Sequence, residues 1–66
     1  MKTTTILGQT FIVDDNLNLI IDDIKIEKNE MENISNEYKG VNRIHKPMAL
    51  LFWTDVKNGK ALNWTI

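Results

Sequence analysis

The spacing of apolar and polar positions changes character several times along this chain. Residues 2–13 are rich in threonine, isoleucine, valine and phenylalanine, types that suit strands. Gly8 interrupts them. It fits either the first central position of a type II′ turn over residues 7–10 or a bulge in one longer strand. Asp14-Asp15-Asn16 reads as a turn, because short polar side chains bond their own backbone. Residues 17–27 resume as a strand, with Ile24 and Ile26 alternating with Asp23, Lys25 and Glu27. Leu19-Ile20-Ile21 breaks the alternation and is expected to be covered on both faces.

The period then lengthens. Met31, Ile34 and Tyr38 are three and four residues apart, which lines one face of a helix. A helix is predicted over residues 29–40, with Asn29 as N-cap, Glu32 as capping-box acid, Gly40 at C′ and Val41 closing the end. A rival pattern runs this helix back to Asp15 through Ile20 and Ile24. The β-branched content and the Ile-Lys-Ile alternation rank it second.

Pro47 restricts His45-Lys46 toward extended backbone. Beyond it, Asn58-Gly59 sits between two apolar runs, the strongest short-range hairpin signal. It predicts strands over residues 48–57 and 60–66, with Trp53 opposite Trp64 and Leu51 opposite Ile66. Both faces of that hairpin are apolar: Leu51, Trp53, Leu62, Trp64 and Ile66 on one, Leu50, Phe52, Val56 and Ala61 on the other. A sheet with one wet face should alternate. One helix covers one face, so a closed sheet or a second subunit must cover the other. The expected fold is α+β: a small antiparallel sheet of four to five strands with one short helix, in ββαββ order. It forms a single domain over residues 1–66.

Composition strengthens the expectation of a second subunit. A chain of 66 residues buries only about 60% of its unfolded surface. It has no cysteine and one histidine, so disulfides and thiolate metal sites are excluded and a histidine zinc site is disfavoured. A homodimer is expected. Lys2 is followed by threonines rather than an apolar signal segment, and the longest apolar run, residues 48–53, is too short to span a bilayer. The expected location is cytoplasmic, with no membrane association.

Net charge is −1 but unevenly spread. Residues 14–37 hold eight acids against Lys25 and Lys28, while residues 39–46 hold Lys39, Arg43 and Lys46 and no acid. That is a dipolar arrangement rather than a nucleic-acid footprint, which needs many phosphate contacts.

Catalytic constellations fail one by one. Asp14-Asp15 and Asp22-Asp23 are adjacent pairs, which point to opposite faces of a strand rather than across a cleft. Asp14, Asn16 and Asn18 resemble the opening of a calcium loop, but Leu19 and Lys25 stand where glycine and a bidentate glutamate belong. His45 has no cysteine partner, Ser35 lacks the nucleophile-elbow pattern, and three isolated glycines cradle no phosphate. No catalytic, cofactor-binding or metal-ligating residues are assigned, and a non-enzyme is expected.

Two candidate groups remain. Phe52, Trp53 and Trp64 are either core or a candidate interface, since tryptophan dominates binding hot spots. Arg43, His45 and Lys46 are candidate anion contacts. The expected function is a small non-catalytic binding protein that occupies the surface of a larger protein, its acidic half meeting a basic partner. Short length and the Ile, Asn and Lys content of AT-rich coding fit a phage or mobile-element inhibitor of a host or defence protein. The alternatives are an oligomer that sequesters a small anion such as a nucleotide, or a weak DNA-binding accessory protein.

Overall fold

The computed structural model describes residues 1–64, with the side chains of Leu62 and Asn63 left aside. Four strands come first: β1 (Lys2–Ile6), β2 (Gln9–Val13), β3 (Leu19–Ile21) and β4 (Ile24–Ile26). They form one antiparallel sheet in the order β1-β2-β3-β4. Gly8 marks a turn, not a bulge. Its central residues are Leu7 and Gly8, at φ +52° and +82°, one position earlier than expected, so that Ile6 pairs with Gln9. Two left-handed residues are what a type I′ hairpin turn requires.

Asp22 and Asp23 repeat this device at φ +50° and +67°. They split the expected strand 17–27 into β3 and β4. Between β2 and β3 the predicted Asp14 turn is present. Asp14 Oδ1 accepts hydrogen bonds from the N–H groups of Asn16 and Asn18, both at 2.9 Å. Leu19 is buried, but Ile20 lies on the outer face beside Ile12 and is only half-buried, so that stretch is not covered on both sides.

The inner face of the sheet carries Thr4, Phe11, Val13 and Leu19, all buried. α1 (Lys28–Glu37) lays Met31 into this core, with Ile34 and Tyr38 beside it, as the spacing predicts. Its start differs. Asn29 lies inside the helix, and Glu27 at the N-cap position makes no side-chain cap. The cap comes from elsewhere: Asn18 Oδ1 accepts the Lys28 N–H at 3.0 Å. Gly40, at φ +84°, serves the turn after the helix, where the Val41 N–H bonds the Tyr38 carbonyl at 3.0 Å. The longer rival helix does not form.

The C-terminal hairpin is the main correction. Residues 48–57 form a helix, α2 (Met48–Lys57), and Ala61–Trp64 a 3₁₀ turn. Asn58-Gly59 closes a helix instead of joining strands. Gly59 takes φ +74°; its N–H bonds the Val56 carbonyl at 3.1 Å and the Lys60 N–H bonds that of Asp55 at 2.7 Å. This is the paired bonding of a Schellman ending. The same left-handed glycine suits both a hairpin and a helix end, so the dipeptide alone did not decide between them. The order is therefore four strands followed by helices, not ββαββ, and the fold is α+β. Ile66 and its expected partnership with Leu51 fall outside the described residues.

Helix geometry also removes the problem of two apolar faces. Leu50, Leu51, Phe52 and Trp53 are consecutive and all buried. Four consecutive helical positions point around most of a turn, so this stretch is covered on most sides. α2 packs on β2, on α1 and on the 3₁₀ turn Ala61–Trp64. The covering that seemed to call for a second chain is supplied within one.

Candidate functional site

Phe52 and Trp53, read as either core or a candidate interface, are each about 1% exposed. They present no contact surface in this fold. The Trp53 Nε1–H donates to the Leu17 carbonyl at 2.7 Å, tying α2 to the loop between β2 and β3. The Lys57 ammonium lies 5.3 Å from the Trp53 ring centroid and 3.8 Å from Glu32 of α1. Trp64 is half-buried and meets Phe52 edge-on, with centroids 5.4 Å apart. The two tryptophans are not cross-strand partners; Trp53 lies within the core and Trp64 packs against it.

Asp55 is the residue that sequence reasoning missed. Its Oδ2 accepts from Trp64 Nε1 at 2.7 Å and from Arg43 Nη2 at 3.0 Å. Burial pushes the Asp55 carboxyl up. The hydrogen bonds from Trp64 and Arg43 and the charges of Arg43 and Lys60 outweigh it and hold the carboxyl below its ordinary value. The signal was a lone acid inside an apolar run. Once the run is helical, that acid must find partners. Asp14 is also held low, chiefly by the Asn18 backbone N–H and then its side-chain amide.

Arg43 and His45, two of the anion-contact candidates, share the 3₁₀ turn Arg43–His45, and Lys46 follows it in extended backbone. The turn is braced twice. Asn42 Oδ1 accepts the Ile44 N–H at 3.1 Å, and Arg43 is anchored to Asp55. Arg43 is therefore engaged in an ion pair rather than held free for a ligand. Three apolar side chains of the same stretch are left in water: Ile44 at 80% exposure, Met48 and Val41. The segment linking α1 to α2 thus offers exposed apolar side chains interspersed in sequence with Lys39, Arg43, His45 and Lys46. The sequence carried a signal here too, in apolar residues set among cations without strand or helix period.

The opposite side of the molecule holds an open depression of about 330 Å³ on the outer sheet face, lined by Gly8, Thr10, Ile12, Ile20, Asp22 and Asp23. One Asp22 oxygen is taken by the Gln9 side-chain amide at 3.2 Å. Among the described residues no cluster of three or more histidine, aspartate or glutamate side chains is placed to hold a metal ion. No helix is long and apolar enough to cross a membrane. No family model, curated protein or solved structure matches the chain.

Proposed function

We propose that this chain is a small non-catalytic binding protein that docks on a larger protein through the α1–α2 connector. One observation carries the reading. Ile44 stands in water on a turn braced by Asn42 and Arg43, with Val41 and Met48 also exposed and Lys39, Arg43 and Lys46 close by in sequence. A rigid exposed apolar group loses little freedom on binding. The cations favour a partner surface that is acidic around an apolar recess, since complementary fields steer encounter and choose the partner. The acid-rich half of the chain is a weaker candidate for contact. Asp14 is committed to its own turn, Glu32 to Lys57 and Asp22 to Gln9. Inhibition of a host or defence protein is one role such a docking protein would serve; the coding composition supports it. Sequestration of a small anion is less well supported, because Arg43 is already paired with Asp55.

The reading is tested by capture from a lysate on immobilised wild type and Ile44→Glu side by side. It requires an acidic protein held stoichiometrically by wild type, released by salt, and lost with Ile44→Glu while that variant keeps its circular dichroism and unfolding midpoint. A partner held equally by both variants defeats it.

A further inference from the structure

The two edges of the sheet are built differently. A two-residue loop closes on a hydrogen-bonded pair, so Ile6 exchanges backbone bonds with Gln9, and Ile21 with Ile24. Alternation along an antiparallel ladder fixes the rest. Lys2, Thr4 and Ile6 spend their N–H and C=O groups on β2, while Thr3 and Thr5 aim theirs away from the sheet. On β4 the residue in that position is Lys25. A short edge strand carrying a lysine is a common guard against unwanted pairing. The lysine of β1, Lys2, stands at its first residue and not at an outward position. β1 spans five residues, and both of its outward positions are neutral threonines, a type that favours strands. Among the described residues no strand lies along its outer edge.

We propose that β1 pairs antiparallel with β1 of a second copy, about a two-fold axis at Thr4, merging two four-stranded sheets into one. In this register Thr3 faces the partner's Thr5, and Thr5 faces the partner's Thr3. Each outward N–H and C=O of the strand interior then meets its complement. The Thr3 and Thr5 side chains lie exposed on the outer face, where Thr5 already meets Thr10 hydroxyl to hydroxyl at 3.1 Å.

A second observation points the same way. Met1 and Leu7 are both highly exposed, Leu7 fully so at 101%. They stand at equal distances in sequence on either side of Thr4, so each meets the other across the axis. The type I′ turn accounts for the φ of +52° at Leu7, but among the described residues its side chain has no cover. Pairing about this axis uses the same edge on both copies, so it closes at a dimer. It is independent of the docking proposed for the connector, which involves neither β1 nor the Leu7 turn.

Sedimentation equilibrium and amide exchange test the proposal on the full chain. Wild type is expected to reach twice the 7.7 kDa of one chain as concentration rises from micromolar to millimolar. Over the same range the Thr3 and Thr5 amides should become protected while the Lys25 amide stays fast. Thr5→Pro removes an outward N–H and no bond of the β1–β2 ladder. It should weaken association about tenfold or more, the bond being lost at both symmetry-related positions. Thr3→Lys should do the same without touching the backbone. A wild type that stays at single-chain mass at millimolar concentration overturns the proposal. So does protection at Thr3 and Thr5 that ignores concentration, a mass above that of a dimer, or a folded Thr5→Pro that associates like wild type.

Discussion

The Trp64 indole N–H and the Asp55 carboxylate, 2.7 Å apart, clasp the end of α2 to the chain that follows it. Arg43 reaches the same carboxylate oxygen from the connector. Three segments that are separate in sequence thus meet at one side chain.

Removing that acceptor leaves a half-buried indole N–H and a guanidinium without a partner. Asp55→Ala is expected to lower unfolding stability by about 1–3 kcal/mol in urea titrations. The pH dependence has a definite sign. The folded carboxyl is held low, so its contribution is present above the ordinary aspartate pKa of about 3.9 and is lost as pH falls through the folded value. Wild type should lose stability below about pH 4, and Asp55→Asn should lose less over that range. The slope that remains belongs in part to Asp14, which is held low by Asn18.

Gly59 is the one glycine on which the reading of the last third depends. Its φ of +74° strains any residue that carries a Cβ. Gly59→Ala should destabilise by about 1 kcal/mol in thermal unfolding, with the helical signal at 222 nm kept up to the transition. A gain in stability would exclude the left-handed helix ending.

Trp53 and Ile44 separate core from surface. Trp53→Ala empties the largest fully buried side chain and should cost about 3–5 kcal/mol, enough to unfold a domain of this size. Ile44→Glu changes a side chain already in water and should stay within about 0.5 kcal/mol of wild type. Equilibrium denaturation of the two variants reads both outcomes.

The Asn18 carboxamide caps a helix that begins ten positions later in the chain. Asn18→Ala should cost about 1–2 kcal/mol. Amide exchange should show the loss concentrated at Lys28 and the first turn of α1, with β1 and β2 less affected.

Local signals in the sequence located the strands 2–13, the Asp14 turn and the Met31–Ile34–Tyr38 face, because each depends on neighbours a few residues away. They did not distinguish a buried strand from a buried helix over residues 48–57. An unbroken apolar run has no period to read, and Asn58-Gly59 satisfies both endings. The error spread from there, since the argument that a second chain must cover the hairpin rested on its register. The cations of the connector were visible in the sequence. The exposure of Ile44 was not, because it depends on how the 3₁₀ turn Arg43–His45 is braced by Asn42 and by an aspartate on another element.

The order of the elements has a consequence for synthesis. The four strands join neighbour to neighbour through short loops, so a nascent chain can assemble its sheet once residues through Ile26 have left the ribosome. The apolar cover over the inner face of this sheet includes α2, which packs on β2 and is made after all four strands. Until then one side of the newborn sheet stands open to water, and a stalled or truncated product remains in that state. The helix Met48–Lys57 decides whether the sheet is a folded protein or a sticky fragment.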